Sequence, residues 1–86
     1  MRQVEVLLSP AAAREMLDLP EAIQVRVQAI LERLRQWPQV SGAKPLSGRL
    51  AGRFRMRTGD YRVQFRLQTG NVLVERIGHR DGFYED

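Results

Sequence analysis

Arginine side chains make up most of the residues that could do chemistry. Of the 14 basic residues in this 86-residue sequence, all but Lys44 are arginines. They are concentrated in residues 44–80, where nine basic residues face only Asp60 and Glu75, giving a net charge of +7, while residues 1–43 are neutral overall. A guanidinium binds phosphate through parallel hydrogen bonds and stacks on bases. This segregation of charge predicts a binding surface for a polyanion.

The arginines alternate along two predicted strands. Side chains in a strand point alternately to its two faces. One face therefore gathers five arginines, Arg53, Arg55, Arg57, Arg62 and Arg66, while Phe54, Met56, Val63, Phe65 and Leu67 share the other. We expect the arginines, together with Lys44, to form an outward-facing basic platform. The alternative is a solvated or ion-paired surface, above all for Arg57 and Arg66. In the last strand the pattern does not assign Glu75 to either face.

The segment after the last strand adds a proton-transfer group and an aromatic ring. His79 is the only histidine, and Arg80 and Tyr84 follow it. Unperturbed imidazole titrates near pH 6.5 and suits proton transfer, while a tyrosine ring can stack on a base. Taken singly, His79 is typical of a loop histidine and Tyr84 of a packing residue. Taken with the arginines, they indicate a site that acts on single-stranded RNA.

Several function classes are unsupported by the sequence. It has no cysteine, no glycine-rich phosphate loop and no cluster of His, Asp and Glu at metal-ligand spacing. We therefore expect no metal and no cofactor. No stretch approaches the roughly 18 apolar residues that a membrane span needs. We expect a soluble cytoplasmic protein that does not contact a membrane.

The elements that would position these residues follow from hydrophobic periodicity and from helix and turn signals. Residues 3–8 read as a strand, and Ser9-Pro10 caps a short helix over 11–17. A second helix starts at Pro20 and is closed by Trp37-Pro38. Its apolar stripe is Ile23, Val27, Ile30, Leu34 and Trp37. An irregular connection follows, pinned to the core by Leu46 and Leu50, and glycine-bearing turns separate strands over 53–57, 61–67 and 71–77.

This order of elements predicts one domain over residues 1–86, of the α+β class. An N-terminal strand and a three-stranded antiparallel meander complete one sheet, and the helical hairpin covers one face of it. A short C-terminal tail ends the chain. The arginines would then occupy the sheet face that the helices leave uncovered.

Two stretches resemble the RelE/ParE superfamily of bacterial and archaeal toxins. They are KPLSGRLAGRFRMRTGDYRV at 44–63 and IGHR at 77–80, with a tyrosine at 84. The resemblance covers essentially the whole chain and implies the compact two-layer RelE-like fold. RelE-type members are ribosome-dependent endoribonucleases that cut messenger RNA in the A site. The implied reaction is attack of a ribose 2′-hydroxyl on the adjacent phosphate, leaving a 2′,3′-cyclic phosphate.

The resemblance also implies roles for single residues. Arg53 and Arg55 match two basic residues on the first hairpin strand, and Arg62 matches a phosphate-contacting arginine. Arg80 matches a catalytic arginine, and Tyr84 matches a tyrosine that stacks on the substrate. The best-known RelE toxins have lysines at the positions of Arg53 and Arg55, and an arginine is a poor general base. We therefore expect Arg55 to act electrostatically and hypothesise that His79 transfers a proton.

Two other functions share the same sequence pattern. One is a ParE-like protein that inhibits DNA gyrase without cutting RNA. The other is a degenerate toxin that acts only in an antitoxin-bound complex repressing transcription. All three functions imply a cognate antitoxin, whose acidic, partly disordered segment would fold onto the basic surface. The ribosome and messenger RNA are further partners of the nuclease alone.

Overall fold

The protein has two helices and a five-stranded sheet. The computed structural model describes residues 3–82. Its strands are β1 (Val6–Leu8), β2 (Lys44–Pro45), β3 (Arg53–Thr58), β4 (Tyr61–Gln68) and β5 (Asn71–His79); its helices are α1 (Pro10–Leu17) and α2 (Glu21–Leu34). The strands lie in the order β1-β5-β4-β3-β2, with β1 parallel to β5 and the other neighbours antiparallel. The predicted α+β class and element order are confirmed.

The boundaries of the four predicted strands differ slightly from the prediction, and one short strand was not predicted. β1 covers only the apolar end of the predicted 3–8 strand, whereas β3, β4 and β5 each run slightly beyond their predicted ends. The short edge strand β2 was not predicted, because Pro45 and the glycines around it are typical of a loop. Its Lys44 lies opposite Arg55 of β3. The sheet therefore extends the row of cationic side chains by one strand.

Both helices begin where the capping signals place them. The Ser9 hydroxyl accepts a hydrogen bond from the Ala12 backbone amide at 3.0 Å, and Pro10 occupies the first turn of α1. Helix α2 ends at Leu34, three residues before the predicted end at Trp37. The reason is that Pro38 disfavours helical backbone at Trp37, so residues 35–38 continue as turns.

The core lies between the helices and one face of the sheet. Helix α2 contributes Val27, Ile30 and Leu34, and the sheet contributes the buried residues Met56, Val63, Phe65, Val72, Val74 and Ile77. Trp37 packs edge-on against Phe54 and Phe65, with ring centroids 4.9 and 5.4 Å away. The predicted core face is confirmed except at Leu67, which is 42% exposed because it lies near the end of β4.

An extra residue interrupts the pairing of β4 with β5. Phe65 pairs with Val74 but Gln64 pairs with Arg76, so Glu75 forms a β-bulge. Helix α1 and its cap hold this bulge. The Ser9 hydroxyl donates to the Glu75 carbonyl at 3.0 Å, and the Ile77 amide donates to the Glu15 carboxylate at 2.8 Å. These bonds give a partner to two backbone groups at the bulge, the Glu75 carbonyl and the Ile77 amide.

Candidate functional site

The strand register assembles the predicted basic platform on the sheet face opposite the helices. Arg53 lies opposite Arg66, and Arg57 lies opposite Arg62. In the row between them, Lys44, Arg55 and Gln64 lie side by side on β2, β3 and β4. We call this surface the arginine face; its residues are Lys44, Arg53, Arg55, Arg57, Arg62 and Arg66. The structure therefore brings together all six predicted phosphate-binding residues.

At one end of the arginine face, the Glu75 carboxylate is shared by two of the arginines. The carboxylate accepts hydrogen bonds from Arg53 Nε at 2.7 Å and Arg66 Nε at 2.9 Å, with Gln64 Nε2 at 3.5 Å. Burial opposes ionisation of Glu75, but the hydrogen bonds from Arg53, Arg66 and Gln64 together outweigh it and hold the pKa of this carboxyl below its usual range. We call these four residues the Glu75 cluster.

The alternation of hydrophobic residues did not reveal the Glu75 cluster. The bulge shifts the phase of β5 by one residue, so that Val74 and Ile77 both face the core although they are three positions apart. The signal in the sequence was the broken alternation itself, followed by a Glu-Arg pair. The bulge at Glu75 shifts the alternation of β5, so that the Glu75 carboxylate lies on the arginine face.

At the other end, arginines face one another. Arg55 and Arg62 are only 7% and 9% exposed. They are therefore buried, contrary to the prediction of an outward-projecting platform, because their position in the middle of the sheet puts neighbouring strands on both sides. Burial lowers the pKa of Arg62, and the positive charges of Arg55, Arg57 and Arg80 lower it further, while Asp60 offsets part of this effect. Burial and Arg57 likewise lower the pKa of Arg55.

Arg80 joins these residues from the end of β5. Its backbone amide donates to the Asp60 carbonyl at 2.7 Å, which fixes it beside the β3–β4 turn. Its guanidinium is 57% exposed and lies 3.9 Å from the Asp60 carboxylate and 3.7 Å from that of Asp81. We call Arg55, Arg57, Arg62 and Arg80 the cationic cluster. An anion bound among these four guanidinium groups would be attracted by their positive charges.

The structure separates His79 from the arginine face. His79 pairs with Tyr61 in the ladder, and their rings meet edge-on with centroids 5.3 Å apart. Both residues alternate in phase with the buried Val63 and Ile77, which places them on the helix side of the sheet. His79 Nδ1 accepts a hydrogen bond from the Asp81 amide at 3.2 Å. Tyr61 was not predicted as a neighbour of His79, and Tyr84 lies outside the described residues.

The chemistry available on the arginine face is therefore anion binding and charge stabilisation. Within residues 3–82, no three His, Asp or Glu side chains come together as metal ligands do. None of the helices in this part of the chain is long and apolar enough to cross a membrane. A separate cleft of about 550 Å³ runs between β1 and α2, lined by Val6, Leu31 and Arg35 among others, away from the arginine face.

Comparison with solved structures identifies the same fold in several toxins. The chain is similar to one in the RelBE2 toxin–antitoxin complex of Mycobacterium tuberculosis, with a TM-score of 0.80 and 31% identity over 93% of this chain and 94% of that one. The isolated RelE toxin of Escherichia coli gives a TM-score of 0.73 at 14% identity, covering 90% of this chain and 83% of that one. The YoeB–YefM complex of Staphylococcus aureus gives 0.73 at 12% identity, covering 90% and 97%.

The last two comparisons, at such low identity, concern the fold alone, and the fold is that of RelE-like toxins. Sequence comparison matches residues 6–82 to the family described as ParE toxin of type II toxin–antitoxin system, parDE. The chain thus belongs to the ParE toxin family, within the RelE/ParE superfamily, and is a toxin of a type II toxin–antitoxin system. A search of curated proteins finds no match.

Proposed function

We propose that the protein is a ribosome-dependent endoribonuclease that cleaves messenger RNA in the ribosomal A site. The observation that carries this proposal is the cationic cluster, in which two buried arginines and two more exposed ones converge on one end of the sheet. Four positive charges brought together at one end of the sheet attract an anion. A phosphodiester is an anion of suitable charge and geometry for guanidinium groups.

The reaction is transfer of the phosphodiester from the 5′-oxygen of one nucleotide to the 2′-oxygen of its neighbour. The bond between phosphorus and O2′ forms, and the bond between phosphorus and O5′ breaks, leaving a 2′,3′-cyclic phosphate and a 5′-hydroxyl. Negative charge grows on the non-bridging oxygens in the transition state. Arg55 and Arg62, with Arg57 and Arg80, would stabilise that charge from positions fixed by the sheet. Lys44, Arg53 and Arg66 remain predicted contacts to neighbouring phosphates.

Proton transfer requires a different group, since arginine stays charged near neutral pH. We assign it to His79, which directly precedes Arg80 at the end of β5. Because His79 lies on the helix side of the sheet, its imidazole would reach the reacting nucleotide around the sheet end rather than across the arginine face. Tyr84 would stack on a base of the substrate.

The proposed partners follow from the charge of the surface. Among the similar structures, the M. tuberculosis chain is in a toxin–antitoxin complex, and YoeB of S. aureus is in a complex with YefM. We infer that this toxin likewise has a cognate antitoxin, with an acidic, partly disordered segment that neutralises the arginine face as it folds. In the absence of antitoxin, the ribosome and its messenger RNA are the partners, which places the activity in the cytoplasm.

Primer-extension mapping of a defined messenger RNA in a purified translation system tests the proposal. We expect cuts at the A-site codon that require ribosomes and are lost with Arg62→Ala and Arg80→Ala. Arg14→Ala removes an exposed arginine of α1 and is the matched control, which should cut as the wild type does. An intact message, or equal loss of cutting in all three variants, would contradict the proposal.

The second candidate function is inhibition of DNA gyrase. It is favoured by the family match, because the matching family is that of ParE toxins. A supercoiling assay with purified gyrase separates the two candidates: a gyrase inhibitor would block supercoiling and leave the message intact. If neither assay responds, the protein is a degenerate toxin whose remaining role lies in an antitoxin-bound repressor complex.

A further inference from the structure

The carboxylate of Glu75 occupies the place that a phosphate group would take between Arg53 and Arg66. Each arginine donates its Nε–H to a different oxygen of the carboxylate, at 2.7 and 2.9 Å. Arg53 and Arg66 lie on adjacent strands, and each donates to one oxygen of the same carboxylate. Two guanidinium groups could bind two oxygens of a phosphate in the same way. Glu75 therefore acts as an internal competitor for an anionic ligand.

We propose that Glu75 is a specificity-determining residue that withholds Arg53 and Arg66 from the RNA backbone and confines phosphate contacts to the cationic cluster and Lys44. The inference rests on the proposed function in taking single-stranded RNA as the ligand. It revises the predicted roles of Arg53 and Arg66: on this account they bind phosphate only when Glu75 is removed.

The position of Glu75 explains why an RNA phosphate does not displace it. The carboxylate is tethered to the sheet, so its local concentration around the two guanidinium groups far exceeds that of any phosphate from solution. The bulge that carries it is held from behind by Ser9 and Glu15 of the α1 region. Only 20% of the Glu75 side chain is exposed, which limits screening of the ion pairs by salt.

The consequence for the substrate is a short phosphate footprint. With Glu75 present, Arg53 and Arg66 together carry one net positive charge instead of two, and the carboxylate holds the Nε–H of each. The larger excess of positive charge then lies at the cationic cluster, at the end of the sheet nearest the β3–β4 turn. An RNA strand would be held by few phosphates around one scissile bond rather than along the whole arginine face.

The experiment measures how binding depends on salt. The probe is a short, fluorescently labelled 2′-O-methyl oligouridylate, which has no free 2′-hydroxyl and so is not cleaved. Anisotropy titrations between about 50 and about 300 mM salt give the slope of log K against log salt, which steepens by about 0.7 for each added phosphate contact on a single strand. We expect the slope for Glu75→Gln to be steeper than that of the wild type by about 1.4 if both arginines are released.

Matched variants isolate the effect of Glu75. Glu32→Gln makes the same change in net charge, at an exposed carboxylate on α2 that pairs with Arg35, and should leave the slope unchanged. The triple variant Arg53→Gln/Arg66→Gln/Glu75→Gln should return the slope to the wild-type value. Glu75→Asp retains the charge but is too short to reach both arginines, and should steepen the slope by about 0.7 at most. Circular dichroism establishes that each variant is folded; if Glu75→Gln is not, Glu75→Asp provides the test.

Two results would overturn the inference. One is a Glu75→Gln slope equal to those of the wild type and Glu32→Gln, including the case in which none of them binds the probe. The other is a slope for the triple variant Arg53→Gln/Arg66→Gln/Glu75→Gln that is flatter than that of the wild type, because the two arginines would then already contact phosphate in the wild type. The binding assay involves no cleavage. A steeper Glu75→Gln slope without ribosome-dependent cutting would reject the proposed function and leave the role of Glu75 standing.

Discussion

The two ends of the arginine face differ in the charges that lie beside their most buried groups. At one end Glu75 binds Arg53 and Arg66 through hydrogen bonds of 2.7 and 2.9 Å. At the other end, Arg62 is surrounded by the charges of Arg55, Arg57 and Arg80, and burial and these charges lower its pKa. The residue type, the sheet and the face are the same. The electrostatic environment of an arginine on this face therefore depends on the side chains beside it.

The two ends should also differ in what they contribute to stability and to activity. Arg53 and Arg66 are in a compensated cluster whose ion pairs support the fold. The cationic cluster instead brings four positive charges close together at one end of the sheet, and an anion bound there would interact favourably with them. Substitutions at the two ends should consequently have opposite effects on stability and unequal effects on activity.

The largest expected effect comes from comparing Arg62→Gln with Arg66→Gln. Loss of Arg62 removes a charge aimed at the transition state, and we expect the single-turnover cleavage rate on programmed ribosomes to fall about 10²- to 10³-fold. Loss of Arg66 should change that rate by less than about threefold, because Glu75 already compensates its charge. Equal losses in the two variants would remove the functional distinction between the ends.

A smaller effect on activity is expected at His79, which lies on the helix side of the sheet and not on the arginine face. If His79 transfers a proton, His79→Gln should lower the cleavage rate by about tenfold to a hundredfold and abolish the limb of the pH–rate profile near neutral pH. Arg62→Gln should lower the rate without moving that profile. A profile of unchanged shape in His79→Gln would reject the role of this histidine.

The stability of the compensated end should depend on pH. The pKa of the Glu75 carboxyl is held below its unfolded value, so its contribution is present above about pH 4.3 and is lost as pH falls through the lower folded value. We expect Glu75→Gln to lower the free energy of unfolding by about 1 kcal/mol at pH 6 and by much less at about pH 2.5. Urea unfolding at the two pH values measures the difference. A deficit that is the same at both would show that the ion pairs contribute nothing.

The smallest effect should be a gain in stability at the other end. Arg57→Gln relieves the repulsion felt by Arg55 and Arg62, and we expect it to raise the free energy of unfolding by about 0.5 kcal/mol at low salt. High salt should abolish the gain by screening. Thermal unfolding at low and high salt measures it, and a loss of stability at low salt would contradict the repulsion.

The sequence predicts most of the fold because its signals are local. Ser9-Pro10, the apolar stripe of α2 and the glycine turns each act within a few residues, and the element order is confirmed. The arginine face is likewise predictable, since alternation alone puts Arg53, Arg55 and Arg57 on one side of β3. The alternation could not predict burial. From the sequence, Arg55 and Arg62 are expected at the surface, whereas in the structure both side chains are buried.

The features that the sequence did not predict depend on contacts between residues far apart in the chain. The ion pairs of Glu75 join residues 22 and 9 positions apart in the sequence and depend on a bulge that no periodic pattern contains. The pairing of Tyr61 with His79 depends on the register of β4 against β5. The proposed roles of the site residues stay predictions, because they concern a ligand and not the fold.

The hydroxyl of Ser9 links the start of α1 to the opposite side of the sheet, since it accepts from Ala12 and donates to the Glu75 carbonyl. In a genetic selection for cells that survive expression of this toxin, we therefore expect changes at Ser9 and Glu15 that destabilise the fold as well as changes within the cationic cluster. Ser9→Asp should behave unlike Ser9→Thr, because aspartate keeps the cap acceptor but lacks the donor. The positions of such changes would identify α1 as a support of the sheet although none of its side chains lies on the arginine face.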